Sequence, residues 1–385
     1  VTSKARARDL GIRIGVLEPG PNDAITDVVG VRVGHATLIS GDGALRVGEG
    51  PVRTGVTVLI PHERIGERGV FAGCHRLNGN GELTGLEWIR ESGMLTTPIA
   101  ITNTHSVGVV RDALVASDVR RATSLGRGGE TSWSLPVVGE TWDGLLNDVN
   151  GFHVRPEHVD AALAAAARGR VTEGNVGGGT GMVCHEFKGG IGTASRVVAA
   201  EDGGFVVGVL VQANHGRRER LTIDGVPVGR EISTSEIPSP WDQPADAGAG
   251  SIIIVVATDA PLLAHQCERL AQRAALGIAR VGSVAGHSSG DLFVAFATGN
   301  DLPLDAQVEG FPGLTASITM LSDAHITPLF EACVDATEEA VVNALLAAET
   351  MTGRDGITAR ALPHDRVLDL MARYGRSPHE AGSIP

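Results

Sequence analysis

Residues 249–258 read Ala-Gly-Ser-Ile-Ile-Ile-Val-Val-Ala-Thr. Five consecutive β-branched residues, Ile252 to Val256, favour extended backbone, and a short unbroken apolar run bounded by turn residues predicts a strand buried on both faces. A Pro/Asp/Gly-rich segment, 237–250 (IPSPWDQPADAGAG), runs into Ser251. A hydroxyl therefore stands at the entrance of a core strand, directly behind a glycine and a flexible linker. Two readings are open. The strand simply begins with Ser, as strands after loops often do. Or the Gly250–Ser251 bond is self-cleaving and Ser251 is an N-terminal nucleophile.

At 385 residues the chain suits either two domains or one large layered one. Its 52 glycines are about twice the roughly 7% usual share, and they fall in short clusters between apolar runs, which predicts tight turns and close backbone approaches. Aromatic residues are scarce, so the core must be built from Val, Ile, Leu and Ala. A net charge of −13 argues against a nucleic-acid or anionic-membrane partner, either of which needs a basic face. The longest apolar runs are about eight residues, against the roughly 20 a membrane-spanning helix needs. The start of the chain lacks an apolar signal region, so the cytoplasm is expected, or the periplasm if a leader was removed. Cys74, Cys184, Cys267 and Cys333 have no metal-site spacing and are expected to be reduced and buried. Cys184-His185-Glu186 reads as strand, where neighbours point to opposite faces, so no metal and no cofactor are expected.

Along the chain, 24–35 reads as a strand pair with a turn, 56–61 as a strand, 73–85 as an Asn/Gly-dense turn, and 86–91 as a helix. A buried strand follows at 98–104, a helix at 108–117, and a strand with a polar turn at 136–151. The firmest helix is 156–168, with Pro in its first turn, acids after it and Arg at its end. Residues 205–213 read as a strand, as do 252–258 and 291–298, with a long helix over 261–280 between the last two. A strand at 314–321 and helices at 337–351, capped by Thr337, and 365–374 complete the reading. Strands joined by short Gly/Asn turns and interleaved with helices predict mixed or antiparallel sheets with helices outside, a layered α/β sandwich.

Gly250-Ser251 and Ser289-Gly290-Asp291 both open strands that flank one helix, a unit that can bring their N-terminal ends to one sheet edge. Ser251, Ser289 and Asp291 would then form a hydroxyl–hydroxyl–carboxylate relay, supplying the acceptor and orienter a nucleophilic Ser needs. Cleavage would also free a Ser251 α-amine, whose pKa of roughly 7.7–8.0 makes it a usable base. The chemistry is an N-to-O acyl shift followed by hydrolysis, with Gly250 permitting backbone conformations a Cβ forbids. Asn214-His215 ends a core strand and offers an amide for an oxyanion hole, His215 being also a conceivable base. Glu140, in GETWDG, could hold a cationic group. GHSSG (286–290) leads into a strand and not from a strand into a helix, so a G-x-S-x-G nucleophile elbow has no support, and GGGTG (177–181) lacks the Lys of a phosphate loop.

The motifs NGNGE (78–82), ITNTH (101–105), PVVGETWDG (136–144), EGNVGGGTGM (174–182), KGGIGTASRVV (188–198), VQANHG (211–216), GSIIIVVATDAPL (250–262) and SSGDLFVAF (288–296) occur in one order along the chain. Together they resemble the family of L-aminopeptidase/D-Ala-esterase-amidase and the β-peptidyl aminopeptidases. The resemblance implies a four-layer αββα fold, similar in layering to N-terminal-nucleophile hydrolases but with its own topology. It implies one domain, 1–385, cut before Ser251 into an α chain (1–250) and a β chain (251–385). Ser251 would be the nucleophile, with Ser289 and Asp291 assisting. Asn214 would donate to the oxyanion and Glu140 would grip the substrate's amino group. Trp142 stands where relatives carry Tyr in E-T-Y-D-G, beside the substrate, and Asp291 stands where some carry Glu. The implied partners are small peptides, amino-acid amides or esters, with homo-oligomers of αβ units. An acyltransferase resembling ornithine acetyltransferase, which uses Thr at its cleavage point, and an uncleaved binding protein are the alternatives.

Overall fold

In the computed structural model, which describes residues 4–124, 133–241, 250–304, 308–311 and 313–376, the strands in chain order are β1 (Arg32–Ser40), β2 (Val52–Ile60), β3 (Arg68–Gly79), β4 (Met94–Leu95), β5 (Ile99–Asn103), β6 (Val137–Thr141), β7 (Val183–Cys184), β8 (Phe187–Lys188), β9 (Gly190–Val197), β10 (Val206–Asn214), β11 (Ser251–Thr258) and β12 (Gly290–Pro303). The helices are α1 (Leu86–Ser92), α2 (Val107–Ala122), α3 (Pro156–Ala164), α4 (Val228–Glu231), α5 (Ala264–Arg280), α6 (Thr327–Leu346) and α7 (His364–Arg373). Besides two-stranded pairs formed by β7 with β8 and by Met351–Thr352 with Thr358–Ala359, two larger sheets have the orders β1-β2-β5-β6 and β4-β3-β12-β11-β10-β9. Both are mixed: β5–β6 and β11–β12 run parallel, and their other pairs are antiparallel.

The β-branched run does what a two-sided strand must. Ile253, Val255 and Ala257 of β11 join the core between the sheets, with Leu59, Ile99, Ile101 and Val137 of the four-stranded sheet. Ile252, Ile254 and Val256 point the other way, into a core shared with Leu270 and Ala274 of α5 and Ala340 and Val341 of α6. The outer face of the smaller sheet, with Val56, Val58, Ala100 and Val138, is covered by Val110 and Leu114 of α2 and Val159 of α3. The layers are therefore helix, sheet, sheet, helix, the expected αββα sandwich. Each fully buried Val, Leu or Ile contributes about 1.5–3 kcal/mol, so the alternation of β11 fixes its register firmly. Gly192 of β9 shows how helices come so close: a Cβ there would lie 1.9 Å from the Ala340 carbonyl oxygen of α6.

Several local expectations change. Residues 24–35 contain a short 3-10 turn, Ile25–Asp27, before β1 rather than a strand pair. The Asn/Gly-rich segment after Gly73 is largely strand, because β3 pairs with β12 as far as Gly79. Residues 314–321 are not a strand; Leu314, Ile318 and Met320 are exposed there. Thr337 does not cap a helix. It lies inside α6, its hydroxyl donating to the Cys333 carbonyl, because the helix already begins at Thr327-Pro328. The firmest helix, α3, stops at Ala164. All four cysteines are buried and free. No described helix is long and apolar enough to cross a membrane.

Candidate active site

β11 and β12 are adjacent and parallel, with Ile252 opposite Asp291, so their entrances meet at one sheet edge. Ser251 Oγ accepts a hydrogen bond from the Gly290 N–H at 2.9 Å. Ser289 Oγ donates to Asp291 Oδ1 at 2.6 Å. The two serines and Asp291 are all buried. Among the described residues Asp291 Oδ2 has no hydrogen-bond partner. Burial pushes the Asp291 carboxyl up to about 6, against the opposing pull of the Ser289 hydroxyl and the Ile252 N–H. A backbone donor thus fixes the Ser251 oxygen beside a hydroxyl–carboxylate pair. Only the strand pairing was needed to bring these three residues together.

Asn214 ends β10 directly opposite Ser251 in the antiparallel register. Its Oδ1 accepts from the Val183 N–H at 2.7 Å, and its Nδ2 donates to the Trp142 carbonyl at 2.9 Å. An amide nitrogen carries two hydrogens, so one bond to Trp142 leaves the second for a ligand. A Cβ on residue 250 would lie 1.9 Å from the Asn214 carbonyl oxygen and 3.2 Å from Asn214 Nδ2. Glycine at 250 is therefore a steric requirement of the Asn214 contact. The Trp142 indole is exposed and stacks on Trp241 at 6.1 Å between ring centroids. What it shares with Asn214 is its carbonyl, not its ring.

Glu140 sits in β6, buried, in the sheet facing β11. One oxygen accepts from the Glu82 N–H at 2.9 Å and the other from the Thr104 hydroxyl. Burial raises its pKa, and those two donors oppose the rise. The loop 78–82 ties Glu140 to the serine edge. The Asn80 N–H donates to the Ser289 carbonyl at 3.3 Å and the Asn80 amide to the Ser288 carbonyl at 2.7 Å. A Cβ on Gly81 would lie 3.1 Å from both Glu140 Oε1 and Gly290 Cα. Asn80, Gly81 and Thr104 belong to motifs visible in the sequence, yet no individual role could be read for them there.

Cys184 and His185 do not point apart as a continuous strand would require. His185 and Glu186 both have positive φ, making the two-residue turn of the β7–β8 hairpin. Ligand atoms of Cys184, His185 and His215 consequently converge within 4.8 Å of one another, all three buried. Burial lowers His215 to about 3, so it is a neutral imidazole packed against Cys184 and His185.

The layered fold and a nucleophile candidate at the start of a central strand, with a hydroxyl–carboxylate pair and a carboxylate facing it, define a serine hydrolase of Ntn-like architecture. Comparison with known proteins is more specific. The profile of Peptidase family S58 matches residues 23–359. The chain is 49% identical over 381 residues to beta-peptidyl aminopeptidase BapA of Sphingosinicella microcystinivorans, covering 96% of this chain and 93% of that protein. Among solved structures, a Burkholderia sp. beta-aminopeptidase superposes with a TM-score of 0.86 at 54% identity, covering 99% of this chain and 100% of that one. The L-aminopeptidase D-Ala-esterase/amidase of Ochrobactrum anthropi, a prototype of the serine aminopeptidases and a new variant of the Ntn hydrolase fold, superposes with a TM-score of 0.87 at 45% identity over 96% of this chain and 99% of its own. The chain belongs to peptidase family S58.

Proposed function

We propose that this chain is a self-processing serine aminopeptidase that cuts its own Gly250–Ser251 bond and then releases N-terminal residues from peptides, amides or esters. The observation that carries the reading is the Ser251 oxygen held by the Gly290 N–H beside the Ser289–Asp291 pair, with a sterically obligatory glycine before it. In processing, Ser251 Oγ attacks the Gly250 carbonyl carbon. The C–N bond breaks as the ester forms, and the hydroxyl proton ends on the departing nitrogen. Water then hydrolyses the ester, leaving a Gly250 carboxylate and a Ser251 with free hydroxyl and amine. The products are an α chain, 1–250, and a β chain, 251–385, within one αββα unit.

In turnover, Glu140 binds the substrate's ammonium and Ser251 Oγ attacks the following carbonyl, its proton passing to the Ser251 amine with Ser289 and Asp291 assisting. The free Asn214 N–H donates to the oxyanion. The leaving amine or alcohol takes the proton, and water releases the acyl group. Trp142 lines the substrate side through its exposed ring edge. Relatives named beta-peptidyl aminopeptidases support including β-peptides among the substrates. Exposed Leu314, Ile318 and Met320 support association of αβ units into a homo-oligomer, and four free thiols support a cytoplasmic location. The test is incubation with an aminoacyl p-nitroanilide with and without an acetyl donor. Nitroaniline release independent of the donor is expected; no release, with N-acetylation of the anilide when the donor is present, would indicate the acyltransferase instead.

A further inference from the structure

We propose that Cys184, His185 and His215 form a zinc site behind the Asn214 end of β10. Their ligand atoms already lie within 4.8 Å of one another in a buried setting. In a zinc centre with bonds of about 2.0–2.3 Å the ligand atoms sit roughly 3.3–3.8 Å apart, so only a small inward shift is needed. The Cys184 Sγ to His215 Nδ1 separation, 3.9 Å, is almost there.

The nitrogens are set up for ligation. His185 Nδ1 faces the Arg217 carbonyl at 3.0 Å, an acceptor, so the proton resides on Nδ1 and the Nε2 lone pair is free. That Nε2 is buried with no hydrogen-bond partner among the described residues, and His215 turns its Nδ1 to Cys184 Sγ. An orphaned, buried His185 Nε2 carries a cost that a bound cation would remove. The backbone holds the arrangement: the His185 N–H donates to the His215 carbonyl at 2.7 Å, and His185 and Glu186 accept left-handed φ angles that disfavour side-chain-bearing residues. A Cβ on Gly216 would lie 2.4 Å from His185 Cε1, so the ring is packed in place. Cys184 would ligate as a thiolate and each imidazole through a ring-nitrogen lone pair. Zinc binding therefore replaces the thiol proton, which leaves to solvent, and forms a thiolate–zinc bond. One thiolate and two imidazoles suit zinc and leave a fourth position for water.

The test uses the full chain stripped with a chelator and titrated with cobalt(II). One equivalent is expected to produce a thiolate-to-cobalt charge-transfer band that zinc abolishes. The band should vanish in Cys184→Ser, and zinc affinity should fall at least tenfold in His185→Gln. A folded wild type with no band and no saturable zinc binding overturns the proposal, as does the same band in Cys184→Ser. Should the serine variant not fold, X-ray absorption of the zinc-loaded wild type decides. One sulfur and two imidazole nitrogens are expected; a shell of oxygen alone would overturn it.

Discussion

Asp291 pays a burial penalty for its place behind Ser289. Its carboxyl is pushed up to about 6, above the roughly 3.9 of an unfolded Asp. The folded chain therefore binds the proton more tightly, and the stability this gives is present below about pH 4 and lost as pH rises through about 6. Activity should move the opposite way. If Asp291 assists as a carboxylate, kcat falls as pH drops through about 6, and a pH–rate profile measures that acid limb; a flat profile down to pH 5 would contradict it. Asp291→Asn should cut kcat at least 100-fold while leaving Tm at pH 8 equal or higher, since the buried charge is gone. Glu140→Gln keeps the acceptor for the Glu82 N–H but loses the charge. KM for a free-amine substrate should rise at least tenfold, with little change for an N-blocked ester; equal losses on both would remove the ammonium role. The meeting of Ser251, Ser289 and Asp291 was legible because the two strands they open flank one helix, a unit that brings both entrances to one sheet edge. Thr104 and Gly81 were not, because their contacts with Glu140 exist only after distant loops meet. The cysteine–histidine cluster was misjudged for a local reason: two non-glycine residues in left-handed conformation turn a strand into a hairpin.

Strands rich in β-branched residues, β5, β10 and β11, were readable from composition because both faces are buried and no polar alternation is needed. The end of β3 was hidden by its Asn/Gly content; pairing with β12 overrides that local preference. The start of α6 was missed for another reason. Its residues from Leu329 to Leu346 are buried almost without interruption, and its acidic stripe of Asp335, Glu338 and Glu339 faces Arg280 and Arg196 of other elements instead of solvent, a partnership the sequence does not show. The glycine excess follows from close packing of helices on sheets. Gly192→Val should therefore force β9 and α6 apart and cost about 3 kcal/mol or more, read as a lowered Tm. An unchanged Tm would mean that a Cβ at residue 192 does not meet the Ala340 carbonyl oxygen of α6.

On the scale of the whole molecule, the αββα layering was legible from the interleaving of elements and the motif series, while the pairing order of the strands was not. That order makes cleavage structurally quiet. β11, the first strand of the proposed β chain, lies between β10 of the α chain and β12 of its own. The two chains should therefore stay together after cutting, eluting as one particle by native size exclusion and separating only on a denaturing gel. Dissociation in neutral buffer would contradict this. The most direct measurement is N-terminal sequencing of the purified protein beside its Ser251→Ala variant. The wild type should show a second N-terminus beginning Ser-Ile-Ile-Ile-Val, and the variant none. An intact active wild type, or cleavage after residue 250 in the alanine variant, would contradict the assignment of Ser251 as the nucleophile.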